Sequence, residues 1–277
     1  MTVHTSEIVK KARQCLKKGI NRLSAQIALG IASFEDGNIK DAISYYAKAL
    51  KIDENSAEAN AGIGIAYARQ GDLQNAIRHL KKAYKANPDC GMLANWLADA
   101  FFDSGDFDMA IEYYTNAIRS DAMDANAHND MADAYRLKGN YRRALELYEQ
   151  AIRIDPLDTN AMLEKSQCLI QLGRTQEAIE NLDRLIEGFP SSRDCATALV
   201  IKGTLNMKNG NYQASYLNFK QALEFFPFNR TVLMQAAISA IRLDKYSEAK
   251  GLIRKILEMS PDDKRAVALM KKVEKNV

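Results

Sequence analysis

The sequence has little of what usually announces chemistry. Its three histidines, His4, His79 and His128, lie in separate segments, without metal-ligand spacing to a cysteine or carboxylate. His128 falls where a helix would pack, so a satisfied core histidine is expected there. The four cysteines, Cys15, Cys90, Cys168 and Cys195, include no CxxC pair; reduced thiols in a cytoplasmic setting are expected. No apolar run approaches the roughly 18 residues of a membrane span. The amino terminus, MTVHTSEIVKKARQ, lacks the apolar centre of a secretory signal. No GxxxxGKS/T phosphate loop occurs, and Gly62-Ile63-Gly64 is too short and sits in a helical pattern. No serine or cysteine has a base nearby in sequence. These absences predict a chain that is not an enzyme and that uses no metal or cofactor.

Proline is also scarce, and its placement is informative. All five, Pro88, Pro156, Pro190, Pro227 and Pro261, follow helical patterns. In Ala125–Asp158, Met131, Ala132 and Tyr135 share one helical face, and Gly139-Asn140 then interrupts the run. A second periodic stretch, with Ala144, Leu145, Tyr148, Ala151 and Ile152 on one face, ends before Pro156. The spacing predicts two antiparallel helices joined by a tight turn. Such a pair cannot bury its apolar face alone.

The chain repeats this unit. With each unit numbered from its first residue, position 15 holds Gly37, Gly71, Gly105, Gly139, Gly173, Gly210 and Asp244. Small residues occupy position 8 (Gly30, Gly64, Ala98, Ala132, Ser166, Gly203, Ala237) and position 20 (Ala42, Ala76, Ala110, Ala144, Ala178, Ser215, Ala249). Position 24 carries Tyr46, Tyr114, Tyr148 and Phe219 among its seam-filling residues. With Leu-Gly, Tyr, Ala, an aromatic and Pro at fixed offsets in 34 residues, the chain resembles the tetratricopeptide repeat family. It departs from that pattern in having no Trp at position 4, Asp244 at position 15, and Leu185 and Ile256 at position 27.

The resemblance implies an all-α fold, a right-handed α-α superhelix (TPR solenoid) of antiparallel helix pairs. Seven units are expected across 23–263: 23–56, 57–90, 91–124, 125–158, 159–192, 196–229 and 230–263. The three residues Arg193-Asp194-Cys195 are expected to lengthen the next helix by nearly a turn. Lys165 and Leu185 suggest a looser seam in the fifth unit. A basic helix in residues 1–22, starting near a Thr5 or Ser6 cap with Ile8, Ala12, Cys15 and Leu16 on one face, either caps the array or binds a partner. Residues 264–277 read as a solvating helix docked through Ala266, Leu269, Met270 and Val273.

Charge is unevenly spread. Residues 1–22 hold six cations against Glu7, and residues 264–277 hold five against Glu274. The third unit has seven acids (Asp99, Asp103, Asp106, Asp108, Glu112, Asp121, Asp124) against Arg119 alone. Its net −6 repels phosphate, so nucleic acid is not an expected partner.

By the family resemblance, positions 2, 5, 6, 9, 12 and 13 of the first helices face a concave groove. The middle of that groove would present Met92, Asn95, Trp96, Asp99, Phe102 and Asp103, then Asn126, Asn129, Asp130, Asp133 and Arg136, then Glu164. Apolar flanks include Ile27, Ile31, Phe34 and Ile65 on one side and Ile201 and Met234 on the other. The acids are read as unshifted in an open groove, and Asp130, Asp133 and Arg136 as free to bind. Position 5 carries no cation, so the carboxylate clamp of chaperone-adaptor members is absent. Position 6 lacks the asparagine ladder of glycosyltransferase-type arrays.

The expected function is a non-enzymatic protein–protein interaction scaffold binding a peptide or helix with Lys or Arg near apolar residues. Two other readings stay open: a self-assembling homo-oligomer in which the basic amino-terminal helix enters another copy's groove, or peripheral membrane recruitment through the basic termini.

Overall fold

The computed structural model describes residues 3–275, with side chains described over 9–275. Among them the chain is all α, with sixteen helices and no strand. No described helix is long and apolar enough to cross a membrane. The chain divides into two compact units, Met1–Ile154 and Asp155–Val277.

The first unit opens with α1 (Val3–Lys18). Four antiparallel pairs follow: α2 (Arg22–Glu35) and α3 (Ile39–Leu50), α4 (Ala57–Gln70) and α5 (Leu73–Ala86), α6 (Gly91–Asp103) and α7 (Phe107–Ser120), α8 (Ala125–Leu137) and α9 (Tyr141–Ile154). The second unit holds α10 (Thr159–Gln171) and α11 (Thr175–Gly188), α12 (Arg193–Lys208) and α13 (Tyr212–Phe225), α14 (Arg230–Arg242) and α15 (Tyr246–Met259), then α16 (Lys264–Glu274). Within each unit every helix packs on the next, and the first helices of successive pairs also touch.

Side-chain size explains the close approach. The position-20 residues, from Ala42 through Ser215 to Ala249, are all fully buried. A Cβ added to Gly64 would lie 2.7 Å from Leu80 Cγ, so only glycine lets α5 sit this near α4. Large residues at position 24 then fill the seams: Tyr46, Leu80, Tyr114, Tyr148, Leu182, Phe219 and Ile253 are each at most 4% exposed. Burying one such side chain contributes about 1.5–3 kcal/mol.

Helix ends follow from local chemistry. Asp72, Asp106, Asp124, Asp158 and Asp263 accept hydrogen bonds from backbone N–H groups of the first turn that follows, satisfying donors the helix cannot. The turn inside α8–α9 uses Gly139 at φ 77°. In the last pair Asp244 takes the same left-handed conformation, φ 59°, so the backbone geometry survives the loss of glycine.

Arg193-Asp194-Cys195 form the first turn of α12, which runs 16 residues and is capped by Ser192 Oγ. The fifth-unit seam is not loosened. Leu185 is fully buried, and Asn181 Nδ2 donates to Met162 O (2.7 Å) and Ser166 Oγ (2.8 Å). Leu185 takes the place where most other pairs have alanine, and the polar bridge closes the pair beside it.

At the amino-terminal end, Ala12, Val9, Cys15 and Leu16 of α1 pack against Ala25 and Leu29 of α2. Lys10, Lys11, Arg13, Lys17 and Lys18 face outward. The Thr5 or Ser6 cap, Ile8 and His4 lie outside the residues whose side chains are described. At the other end Ala266 and Val273 of α16 are fully buried, with Leu269 and Met270 packed on the same cluster.

Candidate functional site

The first helices of the pairs in Met1–Ile154 carry the expected groove residues. Helices α6 and α8 bring five of them together. Asp99, Phe102, Asp103, Asp130 and Asp133 line one cavity of about 370 Å³, with Tyr114 at its base. They meet because Asp99 and Asp103 on α6, and Asp130 and Asp133 on α8, are each about one turn apart on a helix face and α6 abuts α8.

The carboxylates are held from beneath. Tyr114 Oη donates to Asp99 Oδ1, and Tyr148 Oη donates to Asp133 Oδ1, both at 2.7 Å. Each tyrosine fills its own helix seam, so the same side chain stabilises the pair and positions an acid. Arg136 donates to Asp133 Oδ1 through Nε (3.0 Å) and Nη2 (2.7 Å), and through Nε to Tyr148 Oη (3.2 Å). Asp133 and Arg136 are therefore partnered within the chain, which corrects their reading as free. The i,i+3 spacing puts a fixed guanidinium within reach of the carboxylate. Asp103 stands exposed at the rim.

The groove also shifts titration, contrary to the expectation of ordinary acids. Crowding by protein raises the Asp99 pKa; the Tyr114 hydrogen bond opposes this, and the negative charges of Asp103 and Asp124 add to it. The Asp99 carboxyl remains solvent-accessible at the groove surface, so the wall atoms thin its water without removing it. Burial, followed by the Asp99 charge, raises the Tyr114 pKa, and burial raises that of Tyr148, so both phenols stay protonated donors.

Asn95 Nδ2 donates to Asp124 Oδ2 (2.9 Å), while Asn95 Oδ1 and Asn129 Oδ1 are buried without a partner. Met92 is 64% exposed, and Asn126 is exposed. Glu164 sits in the second unit, half-buried on α10, and accepts from Gln167 Nε2 (2.9 Å).

Trp96, three residues before Asp99, belongs to a different cavity. That space, about 430 Å³, is walled by Ile27, Ile31, Tyr46, Ile65, Leu93 and Trp96, with Glu58 at its edge. Trp96 is half-buried and packs on the Ala61–Leu93 cluster while presenting its remainder to the opening. Sequence reasoning placed Ile27, Ile31, Ile65 and Trp96 on this face but missed Tyr46 and Leu93. The available signal was the pair of minimal residues, Ala28 and Gly62, at the position that Trp96 fills on α6.

Other features take structural roles. His128 is buried with Nδ1 2.9 Å from Asp124 O. Among the described residues no group of His, Cys, Asp and Glu has metal-binding geometry. A wider hollow of about 620 Å³ surrounds the start of α16, but Asp263 there is occupied by Arg230 and by capping Arg265 and Ala266.

A family model for the tetratricopeptide repeat matches residues 27–89, 61–127, 95–159, 129–193 and 169–230. The chain belongs to the tetratricopeptide repeat family. Its helix pairs, small positions and seam residues are those of tetratricopeptide repeats, and the fold is the all-α solenoid of that family. Among solved structures, the C-terminal part of a TPR repeat-containing protein from Cytophaga hutchinsonii aligns with a TM-score of 0.77 at 16% identity, over 88% of this chain and 99% of that one. MamA aligns at 26% identity and a TM-score of 0.56, over 57% of this chain and 93% of its own. YrrB, described as a TPR protein with an unusual peptide-binding site, aligns at 19% identity and a TM-score of 0.56, over 69% of this chain and 97% of its own. No curated protein matches the sequence.

Proposed function

We propose that this tetratricopeptide repeat protein is a non-catalytic interaction scaffold that binds a segment carrying Lys or Arg beside apolar residues. The observation that carries this reading is the pairing on α6. One turn separates Trp96, in an apolar cavity, from Asp99, in a cavity lined by four carboxylates. An aromatic anchor gives affinity, and adjacent acids select charge and speed the encounter. The Asp99 pKa, raised first by desolvation and then by the Asp103 and Asp124 charges, supports the same reading, because a bound ammonium or guanidinium would stabilise the carboxylate. YrrB, described as a TPR protein with an unusual peptide-binding site, supports a peptide as the kind of ligand.

Capture of partners from the native cell by the wild-type chain and an Asp103→Lys/Asp130→Lys variant tests the reading. Charge reversal is expected to abolish recovery, and wild-type recovery is expected to fall with salt. Equal recovery by both proteins at low and high salt would overturn it. The variant leaves in place Asp99 and Asp133, which accept the Tyr114 and Tyr148 hydroxyls.

The open alternatives lose ground to α1. Its apolar face is already spent on α2 in the same chain, so entering another copy's groove, or a bilayer, would first require undocking. We place the protein in the cytoplasm, where its four cysteines, none in a disulfide and two of them buried, would stay reduced.

A further inference from the structure

The three position-24 tyrosines of the first unit are not equivalent. Tyr114 and Tyr148 each donate to an aspartate at position 9 of their own pair. In the first pair that position is Ile31, which cannot accept. Tyr46 is 4% exposed, its ring edge seated where Gly30 and Gly62 have no side chain, and it lines the apolar cavity. A Cβ on Gly62 would fall 2.5 Å from that ring, so the bare backbone of α4 both admits Tyr46 and opens the cavity. The Tyr46 hydroxyl has no hydrogen-bond partner among the described residues. The ring is buried, and the hydroxyl opens onto a hollow walled by isoleucine, leucine and tryptophan, where it has a proton to donate and no protein acceptor.

We propose that this cavity is a specificity pocket for one large apolar side chain of the bound segment, and that Tyr46 donates its hydroxyl proton in a hydrogen bond to an adjacent backbone carbonyl of that segment. The inference rests on the scaffold reading and names the chemistry of its ligand. Burial, then the charges of Glu58 and Glu35, push the Tyr46 pKa up to about 12, which keeps the phenol a donor. The same carboxylates disfavour an anionic acceptor, so a neutral carbonyl fits and a terminal carboxylate does not. Inside a helix that carbonyl is already used four residues on, so the ligand stretch over the pocket is extended. A volume near 430 Å³ lies within the roughly 300–1,000 Å³ of small-ligand pockets and accepts a leucine, phenylalanine or tryptophan. Glu58 at the edge and the acids one turn along α6 place Lys or Arg beside that apolar residue.

The test uses capped octapeptides, each with one leucine, phenylalanine or tryptophan and two lysines in every register, titrated against the full chain. The tightest peptide is then measured against Tyr46→Phe, with Cys90 alkylation, mapped by mass spectrometry, reporting occupancy because Cys90 lines the same cavity. Tyr46→Phe keeps the ring in its seam and removes only the donor. Binding is expected to weaken about three- to tenfold, with the melting temperature unchanged and Cys90 protected by the peptide. Tyr114→Phe, which loses a partnered hydroxyl, is expected to lower the melting temperature instead. Replacing the apolar residue of the peptide by alanine should abolish Cys90 protection. Equal affinity for wild type and Tyr46→Phe, or an unprotected Cys90, overturns the pocket. If such peptides still require lysine, the scaffold reading survives that result; if no peptide binds wild type, both fall. A preference for helix-stapled peptides also overturns the extended mode.

Discussion

Single residues here serve two purposes at once, and Asp99 shows the cost. Its carboxyl sits among like charges, and its pKa in the folded chain is raised above the unfolded value. Between those two values the folded state binds more protons, so stability falls as pH rises through the window just above the ordinary aspartate range. Asp99→Asn keeps an acceptor for Tyr114 and removes the charge. The variant is expected to melt higher than wild type at neutral pH, with the difference vanishing below about pH 4, and to bind a basic segment less tightly. Calorimetry across pH checks the first half and titration the second. Asp244 is a second strained residue, an L side chain at φ 59°. Its left-handed backbone costs about 1 kcal/mol, and its exposed bond from Tyr246 Oη returns little. Asp244→Gly is expected to raise the melting temperature by about 2–4 °C.

At the scale of helix pairs, size rather than polarity sets the geometry. Gly64 faces Leu80 Cγ at 2.7 Å and Ala76 O at 3.2 Å from a would-be Cβ. Gly64→Ala gains helix propensity worth about 1 kcal/mol but forces α4 from α5. The net expectation is a loss of about 1–2 kcal/mol from overpacking, read as a lower denaturation midpoint at unchanged slope. This level of organisation was the most legible in the sequence. Glycine, proline and the small residues at positions 8 and 20 act locally, so their spacing marks turns and contacts directly. The fifth pair was misjudged because its closure depends on Asn181 reaching Met162 O and Ser166, a contact across 15 to 19 residues that no single-position pattern records. The tyrosine-to-aspartate links were missed for the same reason, although Tyr at 24 accompanies Asp at 9 in both pairs that have them. Exposed candidates such as Met92 were placed by their register alone, whereas the cavity around Tyr46 arises from side chains that are missing.

For the molecule as a whole, charge is the property that acts at a distance. A chain of net +3 concentrates −6 in its third repeat, and two of those acids, Asp99 and Asp103, share one opening with Asp130 and Asp133 of the fourth. A basic segment approaching that face is steered before contact, and the steering is screened over about 10 Å at 0.1 M salt. Association with a lysine-bearing peptide is therefore expected to slow at least tenfold between about 0.05 and 0.5 M salt, while dissociation changes much less. Stopped-flow measurement separates the two rates, and a salt-insensitive association rate would contradict the prediction. The charge imbalance was visible in the sequence, but the meeting of acids from two repeats at a single hollow was not. That required α6 and α8 to be side by side.

The two tyrosine-to-aspartate links have a consequence for how this protein can evolve. In most of the array the residues that hold the stack and those that face a ligand are separate, so selection can rewrite recognition while leaving the fold alone. Asp99 and Asp133 lack that freedom, because replacing either by a residue without an acceptor strands the hydroxyl of a residue at the centre of a seam. Tyr46 and Ile31 have no such tie, so lineages that change ligand would be expected to diversify first around the apolar pocket and last at the two anchored acids.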